Sequence, residues 1–143
     1  CNSEVPKNIK FENEDLTILD RYKNNLSNIR SKIDHQDVNF YIEFIINSLF
    51  EANKYFNDQE PWKKKEDQMR LDTIVYTTLE IVRKISFLLY PIIPQSSLKA
   101  LKIFNFNEDD INLTSLENNE YLLKGIKLNK IDILFKKIDK KND

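Results

Sequence analysis

The apolar residues in the first part of the chain recur with helical spacing. Between residues 15 and 33 the steps between apolar positions are three or four, which places them on one stripe of a helix: Leu16, Leu19, Tyr22, Leu26, Ile29 and Ile33. Residues 35–37 are the predicted turn after this helix. Asp37 suits the N-cap of the next helix, because its carboxylate can accept a backbone N–H there.

A second apolar pattern begins at Val38 and is wider than the first. Its main stripe is Val38, Tyr41, Ile42, Ile45, Leu49, Ala52 and Phe56, and it is broadened by Phe40, Phe44, Ile46 and Phe50. A helix that is apolar around more than one face is expected to be buried on more than one side. Residues 57–61 should end this helix, because Pro61 disfavours a helical backbone at Glu60.

Two further helices are predicted, and the pattern then weakens. The third runs from about Glu66 to Tyr90 along a seam of Leu71, Ile74, Val75, Thr78, Ile81, Val82, Ile85, Leu88 and Leu89. Pro94 suits the first turn of the fourth helix, whose inner face comprises Leu98, Leu101 and Phe104.

The remaining pattern predicts a loop and a tail. Residues 107–112 form an acidic, Asn-rich loop, and residues 119–137 are expected to pack back onto the helices, with 131–135 suited to an extended segment. Residues 140–143 are expected to fray. The fold class predicted is all-α: one domain over residues 1–143, an antiparallel bundle of four to five helices with a returning C-terminal tail.

Composition narrows the possible functions. The 143 residues include a single glycine, Gly125, which excludes a glycine-rich phosphate loop, and the net charge of −1 means that nucleic-acid binding would need a local basic patch. The one cysteine, Cys1, permits no internal disulfide, and a reducing, cytoplasmic location is expected. No apolar run reaches the ~20 residues that span a bilayer. Cys1 as first residue fits either excision from a longer chain or a mature, acylated lipoprotein.

Residues for catalysis or metal binding are hard to find. His35, the only histidine, lies in a polar turn and is interpreted as a solvated residue. No Cys/His cluster for zinc is present, and the acidic residues 108–110 lack the pattern of a calcium loop. No catalytic residues and no metal ligands are therefore predicted.

The segment from Asn53 to Lys65 is the most distinctive part of the sequence. It places the only tryptophan, Trp62, directly after Pro61, among the lysines Lys54, Lys63, Lys64 and Lys65. An exposed aromatic ring among ammonium groups can stack on an unpaired base while the lysines contact phosphates, a stacking worth about 1–3 kcal/mol per base. Alternatively, Trp62 fills a gap between two helices and the lysines form a solvated helical turn.

Several motifs resemble the C-terminal helical domain of methionyl-tRNA synthetases. The family's A-N-x-Y, x-P-W and L-x-P-x-x-P motifs correspond to Ala52-Asn-Lys-Tyr55, Pro61-Trp62 and Leu89-Tyr-Pro-Ile-Ile-Pro94. Leu134-Phe135-Lys-Lys-Ile-Asp139 is similar to its closing L-F-P-[RK]-[IL]-[DE] segment, and Gly125 lies where the family has a glycine. The resemblance covers roughly residues 15–139.

This resemblance implies a function in choosing a tRNA. The family's enzymes join methionine to its tRNA, using ATP and Mg²⁺, through an aminoacyl-adenylate, and this domain reads the CAU anticodon. Trp62 stands where the family's tryptophan stacks on the anticodon, Pro61 precedes it, and Asn53 lies in the bordering A-N-x-Y motif. The partners implied are the anticodon stem-loop and the catalytic domain of the same polypeptide.

The chain also departs from the family pattern. Asn25-Leu-Ser-Asn-Ile29 has isoleucine where N-L-x-x-R requires arginine, and it lies too close to Asn53 to be that helix. We therefore expect that the first bundle helix lies upstream of Cys1, that the helix face it covers is exposed here, and that the fragment can dimerise through this face. Lys136 replaces the proline of L-F-P, and the catalytic signatures H-I-G-H and K-M-S-K-S are absent.

Two other classes of protein are considered. A helical protein–protein interaction module would account for the wide apolar surface of the second helix, and would show a large apolar groove with Trp62 buried in the core. A surface lipoprotein would carry an acyl group on Cys1, which mass spectrometry of the native product detects.

Overall fold

The computed structural model describes residues 4–35, 37–122, 124–125 and 127–128, and only the backbone of Ile33 and Leu113. Four α-helices account for most of this part: α1 (Asn13–Asp34), α2 (Val38–Gln59), α3 (Gln68–Leu89) and α4 (Pro94–Lys102). Three short 3₁₀ helices lie at Pro61–Lys63, Glu108–Asp110 and Leu113–Glu117. The prediction of an all-α fold is confirmed.

Side-chain contacts show that α2 runs antiparallel to both α1 and α3. At one end of the bundle, Tyr55 near the end of α2 contacts Asp15 at the start of α1, and Gln59 contacts Arg70 at the start of α3. At the opposite end, the Tyr41 hydroxyl at the start of α2 donates to the Leu88 carbonyl at the end of α3. Short connections between successive helices produce this arrangement.

Local residue chemistry sets the helix boundaries. The Asp37 carboxylate accepts the Phe40 N–H at 3.1 Å, which confirms it as the N-cap of α2. Asp67 does the same for the Arg70 N–H at 3.0 Å, so α3 begins just after the predicted residue 66. Pro94 occupies the first turn of α4, as predicted.

The core lies where α1, α2 and α3 meet. Its fully buried members come from α1, α3, α4 and the 3₁₀ helix Leu113–Glu117: Leu19, Ile29, Ile74, Leu88, Leu101 and Leu116. The buried residues Tyr41, Phe44 and Ile45 of α2 pack in the same cluster. Burying a side chain of this size contributes about 1.5–3 kcal/mol, so the apolar seams of α1 and α3 hold the bundle together.

The prediction that α2 is buried on more than one side is wrong. Tyr41, Phe44, Ile45, Ser48 and Tyr55 face the core. The other half of the apolar surface is exposed and forms what we term the α2 stripe, defined as Val38, Ile42, Ile46, Leu49 and Phe50. Phe50 is 67% exposed. An apolar pattern indicates that a helix face packs against another element. It does not show that this element belongs to the same chain.

The described part of the C-terminal tail packs back onto the helices, as expected. Leu122 is buried, and Lys127 forms an antiparallel bridge with Glu4. Gly125 has a φ of +82° and its N–H donates to the Val5 carbonyl at 2.7 Å, a conformation that favours glycine. The predicted extended segment 131–135 and frayed end 140–143 lie outside the described residues.

Among the described residues, no helix is long and apolar enough to cross a membrane.

Candidate nucleic-acid interface

The loop between α2 and α3 presents the only tryptophan to solvent. The backbone of Glu60 turns into the left-handed region with a φ of 46°, and the Pro61–Lys63 turn follows at once. Pro61 is buried against the bundle, whereas Trp62 is 52% exposed. Pro61 therefore anchors the loop, and the indole of Trp62 projects from it.

Phe56 supports the indole from the last turns of α2. The centroids of the Phe56 and Trp62 rings are 6.3 Å apart and the rings are tilted by 57°. Phe56 is itself 38% exposed, so the two rings form one aromatic surface at this end of the bundle. Aromatic surface of this kind can hold a planar base by stacking.

Asn53 lies one helical turn before Phe56 and is exposed. Residues three apart are neighbours on a helix surface, so Asn53 borders the aromatic surface. Across the part of the chain that the structure describes, its side chain has no hydrogen-bond partner, and its amide is thus available to a ligand.

The four candidate lysines differ in their surroundings. The Lys63 ammonium pairs with the Glu60 carboxylate at 3.0 Å on the surface. Lys64 is half-buried and donates to the Gln59 carbonyl, which closes the end of α2. Lys54 and Lys65 are exposed, and neither has an ion-pair partner within the described residues.

Lys54 also lines a groove between α1 and α2. Arg21 is the other cation there, and three carboxylates accompany them: Glu14, Glu51 and Asp58. The balance of charge in this groove is therefore negative, which does not favour a phosphate. Lys65, on the loop beside Trp62, has the more favourable position for a phosphate contact.

A buried polar cluster lies beneath the loop, and the sequence analysis did not find it. The Asp15 carboxylate on α1 accepts two hydrogen bonds from the Arg70 guanidinium, at 2.6 and 3.0 Å, and one from the Tyr55 hydroxyl. The Arg70 Nη2 also donates to the Gln59 Oε1 at 2.6 Å. We call these four residues, Asp15, Tyr55, Gln59 and Arg70, the loop clamp.

Electrostatics keep the loop clamp ionised. Burial raises the pKa of the Asp15 carboxyl, but hydrogen bonds from Arg70, the Glu12 N–H and Tyr55 outweigh this effect, so its net pKa is lowered. Burial and the hydrogen bond to Asp15 raise the pKa of Tyr55, so this phenol remains a donor. Apart from Tyr55 in the A-N-x-Y motif, no local sequence signal marks the cluster, because Asp15 lies 40 to 55 residues away from the other three members.

The His, Cys, Asp and Glu side chains of the described residues do not gather into a metal site. No group of three or more His, Cys, Asp or Glu side chains able to hold a metal ion occurs among them. His35 is exposed at the end of α1, and its Nδ1 lies 2.7 Å from the Ser31 carbonyl oxygen, in line with the prediction of a solvated turn residue. What the geometry provides is a binding surface of two aromatic rings, a free amide and lysines.

Comparisons with known proteins agree with this assignment to a binding domain. The family described as "Anticodon binding domain of methionyl tRNA ligase" matches residues 5–143. A methionine–tRNA ligase of Mycobacterium leprae is 37% identical over 117 residues, covering 78% of this chain and 22% of that protein. A methionine–tRNA ligase of Methanocaldococcus jannaschii is 31% identical over 132 residues, covering 92% and 18%.

Solved structures show the same similarity in three dimensions. The crystal structure of the apo form of Mycobacterium tuberculosis methionyl-tRNA synthetase superposes with a TM-score of 0.85 at 27% identity, covering 97% of this chain and 29% of that one. The structure of that enzyme bound by methionyl-adenylate gives a TM-score of 0.83 at 28% identity, covering 94% and 27%.

The fold and the exposed loop surface thus define a helical recognition domain. The chain belongs to the family of anticodon-binding domains of methionyl-tRNA ligases. It spans about a fifth of the length of the curated relatives it matches.

Proposed function

We propose that this domain reads the CAU anticodon for an enzyme that attaches methionine to its tRNA, with ATP and Mg²⁺ used by a catalytic domain elsewhere in the same polypeptide. The single observation that carries the proposal is the half-exposed Trp62, whose ring packs against Phe56 on the loop between α2 and α3. A role in protein synthesis also favours a cytoplasmic location. The single cysteine agrees with this location, because it permits no internal disulfide.

In this proposal Trp62 stacks on an unpaired anticodon base and Phe56 supports the indole. Stacking alone tolerates any base, since every base has a π-face. The choice of base therefore needs hydrogen bonds to a base edge, and Asn53 has the donors and the acceptor for them. Pro61, being buried, acts by placing Trp62.

The four lysines are proposed to contribute unequally to phosphate contacts. Lys65 and Lys63 lie on the same loop as Trp62 and are exposed, so they are the best placed to contact the phosphates of a bound loop. Lys54 faces a groove with three carboxylates and contributes less. Lys64, which caps α2, contributes through the loop's stability.

The α2 stripe is proposed to be covered by a helix from elsewhere in the polypeptide. Five large apolar side chains along one 22-residue helix are exposed, a surface that favours a packed partner. In the isolated chain this face would support dimerisation. Analytical ultracentrifugation across a concentration series tests this, and Leu49→Glu with Phe50→Glu should abolish any dimer. A monomer at all concentrations contradicts dimerisation.

A protein–protein interaction module is the second candidate, and the same stripe favours it. However, the discriminating feature of that candidate, a Trp62 buried in the core, is not observed, since Trp62 is half-exposed. The lipoprotein alternative rests on Cys1, which lies outside the described residues.

The proposed function is tested by Trp62 fluorescence and by kinetics. Because Trp62 is the only tryptophan, its emission in this chain should be quenched by an anticodon stem-loop carrying CAU, and not by one with a changed anticodon. In the whole ligase, Trp62→Ala should lower kcat/KM for aminoacylation by on the order of 10- to 100-fold, equivalent to the loss of one stacked base. ATP–pyrophosphate exchange should be unchanged.

Ile93→Ala serves as the control, because it removes an exposed apolar side chain between α3 and α4, at the end of α3 opposite the Trp62 loop. It should leave aminoacylation unaffected. Equal loss of adenylate formation and aminoacylation in Trp62→Ala would contradict the assignment.

A further inference from the structure

The residues on both sides of the Trp62 loop are tied to one carboxylate on a third helix. Tyr55 and Gln59 precede the loop on α2, and Arg70 follows it on α3. Tyr55 and Arg70 both donate to Asp15 of α1, and Arg70 joins Gln59 as well. The loop clamp thus fixes the separation and direction of the two ends of the loop.

The geometry of the clamp requires an arginine at residue 70. Its planar guanidinium supplies two parallel hydrogen bonds to Asp15, at 2.6 and 3.0 Å, and a third to the Gln59 side chain at 2.6 Å. A lysine ammonium would keep the charge but not this fixed fork of donors. Asp15 is completely buried, so an unsatisfied oxygen there would be unfavourable.

The loop itself has few other attachments. Its backbone is held mainly by local bonds, from Lys63 N–H to the Glu60 carbonyl at 2.9 Å and from Lys64 N–H to the Pro61 carbonyl at 3.1 Å. Glu60 is held in the left-handed region, which is unfavourable for a residue other than glycine and persists where the surroundings enforce it. Besides the burial of Pro61, the contact of Trp62 with Phe56 and the bond from Lys64 to the Gln59 carbonyl, the direction of Trp62 depends on how the loop ends are held.

We propose that Asp15, Tyr55 and Arg70 are positioning residues for anticodon recognition: they hold the loop so that Trp62 and Asn53 face one base before the tRNA arrives. This inference rests on the proposed function. Its physical basis is preorganisation, because an indole that is already ordered loses less conformational entropy on binding. Asn53 and Tyr55 lie on the same turn of α2, so the clamp fixes that turn together with the loop.

The experiment compares two pairs of matched variants. Tyr55→Phe removes one hydroxyl from the clamp, and Tyr41→Phe removes an equally buried hydroxyl that bonds the Leu88 carbonyl at the other end of α2. Arg70→Lys loosens the clamp, and Arg83→Lys alters a buried arginine in the middle of α3 that contacts the C-terminal segment. All four variants keep the net charge of the chain.

The first measurement is aminoacylation by the whole ligase. Tyr55→Phe and Arg70→Lys should lower kcat/KM for tRNA by on the order of tenfold, mostly through KM, with ATP–pyrophosphate exchange unchanged. Tyr41→Phe and Arg83→Lys should leave both activities at the level of the unaltered enzyme. If Arg70→Lys does not fold, as judged by circular dichroism, the tyrosine pair alone decides the result.

The second measurement is the mobility of the Trp62 indole. This mobility would not change if the clamp residues only stabilised the fold. In this chain, acrylamide quenching and fluorescence anisotropy report the freedom of Trp62, its only tryptophan. At a temperature where all variants are folded, the clamp variants should raise quenching and lower anisotropy, and the controls should not. An equal effect of Tyr55→Phe and Tyr41→Phe on both measurements would overturn the inference.

Different experimental results would contradict the proposed function and the positioning role of the loop clamp. If Trp62→Ala leaves aminoacylation unchanged, the proposed function is wrong, whatever the clamp does to the indole. If Trp62→Ala impairs aminoacylation but Tyr55→Phe neither impairs it nor frees Trp62, the function stands and the positioning role is wrong.

Discussion

Two buried ionic clusters on α3 join distant parts of the chain, and they differ in charge balance. The loop clamp pairs one carboxylate, Asp15, with one guanidinium, Arg70, at the end of the bundle. The second, which we call the core cluster, consists of Glu80, Arg83 and Lys84, all fully buried in the middle of α3. It has one carboxylate for two cations.

Each cluster secures a different segment. In the core cluster, Arg83 bonds Glu80 at 2.7 Å and donates to the Ser115 hydroxyl at 3.1 Å, while Lys84 donates to the Asn119 side chain at 2.6 Å. These contacts hold the segment 115–122 against the bundle. The loop clamp instead holds the two ends of the loop that carries Trp62. The same helix therefore secures the C-terminal segment in its middle and the Trp62 loop at its start.

The difference in charge balance has consequences for protonation. Burial, together with the nearby charge of Arg83, lowers the pKa of Lys84 to about 7. In the loop clamp the hydrogen bonds to Asp15 outweigh its burial and lower its pKa, so this pair remains ionised down to acidic pH. A balanced pair gives rigidity over a wide pH range, whereas an excess of buried cations makes stability depend on pH near neutrality.

The largest expected effect comes from breaking the core cluster. Arg83→Met would leave Glu80 buried without its hydrogen-bonded ion-pair partner and would remove the contacts to Ser115, so the free energy of unfolding should fall by about 3–5 kcal/mol. Urea denaturation followed by circular dichroism measures this. Arg30→Met, which removes an exposed arginine bonded to Thr114, should change stability by less than about 1 kcal/mol. Equal losses of unfolding free energy in the two variants would show that the buried contacts of Arg83 add no more stability than an exposed arginine does.

The second-largest expected effect is a change in the free energy of unfolding with pH. Between pH 7 and 10 the unfolded chain retains a proton on Lys84 that the folded chain has released, so the free energy of unfolding should rise by on the order of 2–4 kcal/mol over this range. Above pH 10 the trend should reverse, since burial raises the pKa values of Tyr22 and Tyr41 to about 12 and their ionisation favours unfolding.

Lys84→Met tests the origin of this trend. It keeps the length of the side chain but removes the titrating group, and the rise between pH 7 and 10 should disappear. Urea denaturation at several pH values provides the measurement. Lys23→Met, at an exposed position of α1, should retain the rise. Persistence of the rise in Lys84→Met would assign it to another group.

The smallest effect distinguishes two adjacent lysines at the loop. Lys64→Met removes the ammonium that caps the end of α2 and should lower the free energy of unfolding by about 1 kcal/mol, without changing the salt dependence of stem-loop binding. Lys65→Met should do the opposite, reducing the slope of log K against log salt by up to about 1 with stability unchanged. Chemical denaturation and fluorescence titration at several salt concentrations separate them. Identical behaviour of the two variants would contradict the distinction.

Much of the architecture could be predicted from local patterns. The three- and four-residue spacing of apolar positions located α1 and α3, and Asp37 and Pro94 marked helix starts through their own backbone chemistry. Trp62 and Asn53 were predicted as site residues from motif spacing, which is also local. Neither ionic cluster could be found, since Asp15 and Arg70, or Glu80 and the Leu122 N–H, meet only after the chain has folded.

The sequence by itself determined the helices, their order and the segment that carries the aromatic residue, because these depend on periodicity, caps and proline within short stretches. Only the tertiary structure decided which half of α2 is covered, which lysine caps a helix instead of facing solvent, and which carboxylate holds the loop that carries Trp62. These outcomes depend on distances between residues far apart in the chain, and burial then sets whether a charge is paired, neutralised or free.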